Sequence, residues 1–162
     1  MRERMTDTED KKALIVLGCP EVPVQNALAV YTAYQLKLSG YSFLIAGNPA
    51  VMKLLMTSDP QRHYISKMTT LEKAIEDITS GNDGYDLCIA FAHSDAGISY
   101  AATMKYLLPS ARFITIVFGR EAETISKLIE YDGEQIVEIA VHNPMQLRKK
   151  MSEVLGWDAS KS

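Results

Sequence analysis

The sequence predicts a three-layer α/β/α domain with a mostly parallel, five-stranded sheet of the Rossmann-like or flavodoxin-like kind. Short apolar runs alternate with helical patterns along the chain, which is typical of a parallel sheet. The runs are almost continuously apolar, as strands are when helices cover both faces. Each run ends in a short polar turn. We expect right-handed crossovers and the strand order 2-1-3-4-5, to which a sixth or an antiparallel edge strand is an admissible addition.

The predicted elements in chain order are a strand at 13–17, a helix at 25–39, a strand at 42–46, helices at 49–56 and 70–79, a strand at 86–92, a helix at 96–108, a strand at 112–118, a helix at 121–131, a strand at 135–141 and a helix at 144–155. Gly40 ends the first helix, and Pro49 begins the second. A Thr-Thr-Leu-Glu sequence, close to a capping box, begins the third. Between the second and third helices, 57–68 predicts a long irregular connection of the kind that forms flaps.

Composition predicts one globular domain at 13–156, between a flexible tail at 1–12 and a C-terminal tail at 157–162. The chain has 162 residues, of which 47% are apolar and 23% are charged. The net charge of −3 and the scattered basic residues argue against a broad nucleic-acid surface. Two cysteines form no disulfide scaffold, and we see neither a signal peptide nor a membrane-length apolar run. We therefore expect a cytoplasmic protein with no nucleic-acid or membrane partner.

The first helix has an unusual surface, because residues 22–36 contain no charged side chain. A helix that is apolar nearly all round is buried nearly all round, and a sheet covers only one side of it. We expect a second subunit to cover the rest, which predicts a homodimer through residues 22–36. The alternative is that the C-terminal helix covers it within one chain.

The polar turns hold nearly every residue capable of chemistry, and in a parallel sheet they lie along one edge. Ligands of such sheets bind at that edge, where the strand order reverses. The candidate catalytic residues are Cys19 and His93. The candidate residues for binding a small-molecule ligand or cofactor are Gly18, Asn48, Ser94, Asp95, Arg120 and His142.

Most of these candidates have a structural alternative. Cys19 precedes a helix, whose N-terminus favours a reactive thiolate, but it also fits an inert Gly-Cys-Pro turn. Cys88 lies inside an apolar strand and is interpreted as core. His93 fits a base or a hydrogen-bond donor, with Asp95 to orient it or to bind a ligand hydroxyl. Ser94 or Asp95 fits equally well as the N-cap of the next helix.

The remaining turns carry weaker signals. Arg120 fits a carboxylate or phosphate ligand, or a solvated surface residue paired with Glu121 or Glu123. His142 lies in a helix-entry turn, where Asn143 is a candidate N-cap. Zinc ligation by Cys19, His93, Asp95 and His142 is chemically admissible, but their spacing is no recognised pattern, so we predict no metal.

Missing motifs leave the cofactor unassigned. No GxGxxG follows the first strand, and Gly47-Asn48 stands where a dinucleotide-binding chain has an acidic residue. The chain also lacks the phosphate-binding GxxxxGK[ST] loop and the GxSxG elbow of hydrolases.

Two stretches resemble a small family of unknown function from methanogenic archaea. They are Ala13-Leu14-Ile15-Val16-Leu17-Gly18-Cys19-Pro20-Glu21-Val22-Pro23-Val24-Gln25, with Gly40 and Ala46-Gly47-Asn48-Pro49-Ala50, and the late His142-Asn143-Pro144 with Leu147-Arg148. The resemblance spans most of 13–155 and implies a three-layer α/β fold in a cytoplasmic protein of a methanogen, without implying an activity. More distantly, the layout resembles small sulfur-relay proteins, although His93-Ser94-Asp95 stands at the turn where those proteins carry a cysteine.

Three functions are consistent with these residues. The first is a small-molecule or cofactor-binding module with its site at the C-terminal edge of the sheet. The second is a thiol-dependent enzyme or sulfur carrier that uses Cys19, with His93 as base. The third is a structural homodimeric partner in a larger assembly. The residues themselves do not decide whether the protein is an enzyme.

Overall fold

The computed structural model describes residues 10–82 and 84–157, which form a parallel sheet between two layers of helices. The elements are β1 Lys12–Val16, α1 Val24–Leu38, β2 Ser42–Gly47, α2 Pro49–Ser58, β3 Met68–Thr70, α3 Leu71–Thr79, β4 Leu87–Ala92, α4 Asp95–Leu107, β5 Arg112–Val117, α5 Ala122–Ser126, β6 Glu134–Val137 and α6 Met145–Leu155. No helix in this part of the chain has the length and apolar character needed to cross a membrane.

The sheet has six strands in the order β3-β2-β1-β4-β5-β6, and every neighbouring pair is parallel. The three-layer fold and the order of the five predicted strands are confirmed. The predicted count of five is wrong, because Met68–Thr70 pairs with the end of β2 as an edge strand. With that strand the sheet has the Rossmann order instead of the flavodoxin order, and it reverses between β1 and β4.

Alternate strand residues pack into two separate cores, as the period of two requires. Ile15 and Ile89 pack with α1, α2 and α6 on one face. Leu14 and Cys88 pack with α3 and α4 on the other. The interpretation of Cys88 as core is confirmed, because its side chain is fully buried and burial raises the pKa of its thiol.

Two element boundaries differ from the prediction near the C-terminus. The helix expected at 121–131 is only α5, and a succession of turns follows it. The strand expected at 135–141 ends at Val137. The carbonyls of Ala140 and Val141 instead accept hydrogen bonds from Gly119 and Val24, at 2.9 Å each. Ala140 and Val141 therefore attach the loop between β6 and α6 to the turn after β5 and to the start of α1.

The connection expected at 57–68 is shorter than predicted, because α2 continues to Ser58 and β3 begins at Met68. Buried Asp59 organises the loop that remains. Its carboxylate accepts the backbone N–H groups of His63 and Tyr64 at 2.9 Å and of Ile65 at 2.8 Å. A role as a flap stays a prediction.

Helix α1 is covered largely from within the chain. The Tyr31 hydroxyl lies 2.7 Å from Ser152 Oγ of α6, and the Tyr31 ring meets Trp157 edge-on with centroids 5.7 Å apart. Leu147 and Met151 of α6 are fully buried in the same core as α1. The homodimer prediction assumes that one chain leaves α1 uncovered. That assumption is wrong for most of the surface of α1.

The predicted tails overlap the folded region at both ends. Lys12 is the first residue of β1, and Trp157 packs on α1. The parts of the predicted tails at residues 1–9 and 158–162 lie outside the described residues.

Candidate functional site

The turns after β1 and β4 meet at the C-terminal edge, where the strand order reverses. His93 Nε2 lies 2.8 Å from the carbonyl oxygen of Cys19. A carbonyl oxygen only accepts, so Nε2 is the donor, and neutral His93 has an unprotonated Nδ1. The ring also packs against Phe118, with centroids 5.4 Å apart. His93 is thus held in one orientation, and its Nδ1 makes no hydrogen bond within the described residues.

The side chain of Gln25 holds the turn after β1 through two hydrogen bonds. Its side chain is 2% exposed, accepts the Gly18 N–H at 3.0 Å and donates to the Gly18 carbonyl at 2.9 Å. Both polar groups of Gly18 are therefore satisfied by one side chain. Sequence reasoning missed this role of Gln25. The available signal was a long polar side chain in the first turn of an otherwise apolar helix.

Gly119 brings the β5 turn against His93. Its φ of +93° lies in the left-handed region that favours glycine, and a Cβ there would meet His93 Cβ at 3.4 Å. The positive φ therefore favours glycine at this position, whereas a Cβ would only touch His93 at an ordinary contact distance.

The Cys19 thiol is exposed and lies 3.8 Å from a carboxylate oxygen of Glu21. His93 contacts the backbone carbonyl of Cys19. The structure therefore brings Cys19 and His93 together, but it does not pair the thiol with the imidazole as a nucleophile and base would be paired.

Two predicted ligand-binding residues are helix caps. Asn48 Oδ1 accepts the Val51 N–H at 2.9 Å at the start of α2, and Ser94 Oγ accepts the Gly97 N–H at 3.2 Å at the start of α4. The capping alternative is therefore confirmed for Ser94, whereas Asp95 is the first residue of α4. These caps occupy the side-chain oxygens of Asn48 and Ser94.

Asp95, Arg120 and His142 are exposed at the same edge. Within residues 10–82 and 84–157 none of the three makes a side-chain hydrogen bond or ion pair, so Arg120 is not paired with Glu121 there. The described part of the chain also contains no group of three or more His, Cys, Asp or Glu side chains suited to a metal. The structure thus leaves these three side chains at the rim without joining them to Cys19 and His93.

A cavity of about 530 Å³ lies at the opposite edge, where the strands begin. Sequence reasoning missed it, because its lining comes from α1, the starts of β1 and β2 and the loops before β2, β3 and β4. The prediction considered only the turns that follow strands.

Comparison with known proteins gives relatives over almost the whole chain. "Uncharacterized protein MJ0452" of the archaeon Methanocaldococcus jannaschii is 32% identical over 144 residues, which cover 88% of this chain and 95% of that protein. The solved structure of MT0777 is 34% identical with a TM-score of 0.84, over 90% of this chain and 97% of that chain. The family model "Domain of unknown function (DUF1890)" matches residues 14–154. The resemblance seen in the sequence is thereby confirmed, and the chain belongs to the family of that domain of unknown function, DUF1890.

Proposed function

We propose that the protein is a small-molecule-binding α/β module whose ligand lies between the β1 and β4 turns at the C-terminal edge. Open parallel sheets bind ligands where the strand order reverses, and here that point lies between β1 and β4. The site consists of Gly18, Cys19 and His93, with Asp95, Arg120 and His142 at the rim.

The hydrogen bond from His93 to Cys19 carries the proposal. It joins the two turns and keeps Nδ1 as an acceptor for a ligand N–H or O–H. Exposed Arg120 supplies a guanidinium for a carboxylate or phosphate of the same ligand. Site residues on rigid turns bind with little ordering cost, and Gln25 and Phe118 provide that rigidity.

A thiol-dependent enzyme or sulfur carrier is the second candidate, and the exposed thiol of Cys19 favours it. The Glu21 carboxylate beside the thiol is the opposite of the cationic neighbour that activates cysteine nucleophiles. Binding without thiol chemistry predicts that Cys19→Ser keeps the affinity for the ligand. A thiol enzyme predicts that the same variant loses all activity.

Homodimerisation through residues 22–36 and a cytoplasmic location stay predictions. Among the large apolar side chains of α1, Tyr34 and Leu38 are left for a partner, at 40% and 66% exposure, and Tyr34 packs edge-on against Tyr64 at 5.6 Å. Sedimentation equilibrium at micromolar concentration measures the mass directly. A monomer of 18.0 kDa would remove the dimer and, with it, the third function, a structural homodimeric partner.

Mass spectrometry of small molecules that co-purify with the native protein tests the proposed function. The decisive variant is His93→Gln, whose amide keeps a donor near the Nε2 position and offers no acceptor at Nδ1. We expect the ligand to be retained by the unmodified protein and by His63→Gln at the opposite edge, and to be lost from His93→Gln. Retention by His93→Gln, or the absence of any specifically retained molecule, would contradict the proposal.

A further inference from the structure

The cavity at the N-terminal edge of the sheet, called the N-edge cavity below, is unrelated to the site proposed above. Its lining comes from the end of α1, the starts of β1 and β2 and the loops before β2, β3 and β4. Its volume of about 530 Å³ lies in the range of pockets that bind small organic ligands, roughly 300–1,000 Å³.

The charge of this lining is one-sided. Lys12, Lys37, Arg62 and Lys67 contribute four permanent cations, and His63 adds an imidazole, whereas no described Asp or Glu lines the cavity. The carboxylate of Asp86 accepts the backbone N–H of Lys12 at 2.8 Å but is not part of the lining. Cations gathered around one cavity repel each other, and a multiply charged anion relieves that repulsion. This concentration contrasts with the net charge of −3 of the whole chain.

The rest of the lining is largely aromatic. Tyr41, Phe43, Tyr64 and Tyr85 supply ring faces and edges that suit a flat apolar body. Tyr64 is held by the edge-on contact with Tyr34, whose centroid lies 5.6 Å away. Cations together with rings favour a ligand that has both a charged head and a planar ring, and not a free inorganic ion alone.

The loop before β3 presents Arg62 in an unfavourable backbone conformation. Its φ of +53° is the single positive value among non-glycine residues in the described chain. Such a conformation is strained for an arginine and is adopted by a glycine without that strain. Hydrogen bonds to Asp59 hold this backbone conformation. The Arg62 N–H donates to the Asp59 carbonyl at 3.0 Å, and the Asp59 carboxylate accepts three further N–H groups of the same loop. The side chain makes no hydrogen bond or ion pair within the described residues, so contacts inside the protein do not account for an arginine here.

We propose that the N-edge cavity binds a small organic anion with a phosphate or carboxylate head group on a planar ring, and that Arg62 and Lys67 contact the head group. Lys37 also positions the loop, because its Nζ donates to the His63 carbonyl at 2.7 Å. This site is independent of the one between the β1 and β4 turns.

Calorimetric titration with three probes tests the proposal on the full chain. Adenosine monophosphate offers a ring with a phosphate, benzene-1,3,5-tricarboxylate offers a ring with carboxylates, and adenosine offers a ring without charge. We expect saturable one-to-one binding of an anionic probe that weakens with added salt, and adenosine weaker by about tenfold or more. Tighter binding of the first or second probe identifies the head group. No saturable binding of either anion, or equal binding of adenosine and its monophosphate, would overturn the proposal.

Arg62→Gly separates a ligand-binding role from a structural one. We expect about tenfold weaker binding of the anionic probe, with an unchanged or higher unfolding temperature, because glycine adopts the positive φ without strain. Lys67→Met should weaken the binding similarly, whereas Lys127→Ala, which removes the same charge outside the cavity, should change it by less than about twofold. Unaltered affinity in both Arg62→Gly and Lys67→Met would overturn the assignment. Because His93→Gln should bind these probes normally, this proposal and the one for the C-terminal edge fail separately.

Discussion

His93 donates its Nε2–H to the carbonyl oxygen of Cys19 at 2.8 Å, and so links the turns of β1 and β4 at the point where the strand order reverses. One hydrogen bond therefore joins the two turns and leaves Nδ1 as the acceptor that we propose for the ligand. Cys19 enters the site through its backbone, and its thiol faces Glu21.

Gln25→Ala tests how the turn after β1 is held. The change leaves the N–H and carbonyl of Gly18 without their partner, so we expect a loss of about 2 kcal/mol in the free energy of unfolding. Urea denaturation measures it. Gln146→Ala, on the exposed face of α6, is the matched control and should change stability by no more than about 0.5 kcal/mol. Equal effects of the two substitutions would show that the Gln25 contacts add nothing.

Alkylation of the native protein with iodoacetamide should label Cys19 first. Cys19 is exposed, whereas Cys88 is fully buried in β4 and burial raises the pKa of its thiol, so little thiolate is present there to react. Peptide mass spectrometry over a time course gives the order. The Cys19→Ser variant should resist labelling until it is unfolded, and early labelling of Cys88 would refute the assignment.

Trp157→Ala tests whether the C-terminal segment covers α1. We expect a loss of about 2 kcal/mol in the free energy of unfolding, because the edge-on contact with Tyr31 and the associated burial disappear. Tyr106, which is 83% exposed, provides the control, and Tyr106→Ala should cost less than about 0.5 kcal/mol. A Trp157→Ala protein as stable as the control would mean that this contact does not hold α1.

Acid should loosen the loop before β3. Burial opposes ionisation of Asp59, but the backbone N–H groups of Ile65, Tyr64 and His63 outweigh it and hold the pKa of Asp59 below its ordinary value. Because the pKa of Asp59 is lower in the folded state than in the unfolded state, the ionised carboxylate stabilises the fold. This stabilisation is complete at pH values above the unfolded-state pKa of about 4, and it is lost as the pH falls through the folded-state pKa. The stability difference between the unmodified protein and Asp59→Asn should therefore be constant near neutrality and shrink below about pH 4. Thermal unfolding at a series of pH values measures it, and a difference independent of pH would contradict the role of the carboxylate.

The fold was largely predictable because most strands are continuous apolar runs that only a sheet covered on both faces accommodates. Three-residue β3 was not, because its Met-Thr-Thr sequence carries no period and its strand character comes from pairing with β2. Residues 138–141 were wrongly assigned to a strand for a related reason. Ile139, Ala140 and Val141 form an apolar run that resembles a strand, whereas the carbonyls of Ala140 and Val141 accept hydrogen bonds from Gly119 and Val24.

The site was predictable in position more than in detail. Parallel topology alone brings the turns of Cys19 and His93 together, since both follow neighbouring strands. The partner atom was not predictable, because it is a backbone oxygen and no sequence pattern indicates one. The N-edge cavity depends on four cationic residues and a histidine from three separate segments, whose proximity exists only after folding.

Selective ¹⁵N labelling of the glycines tests the central claim most directly. The small-molecule fraction released from natively purified protein is added back to labelled, ligand-free protein, and amide shifts are recorded. Gly18, Gly97 and Gly119 report on the C-terminal edge, whereas Gly40 and Gly81 precede strands at the opposite edge. The account predicts saturable shifts at the first three glycines that His93→Gln abolishes. Shifts confined to Gly40 and Gly81, or no shifts at all, would contradict a ligand site between the β1 and β4 turns.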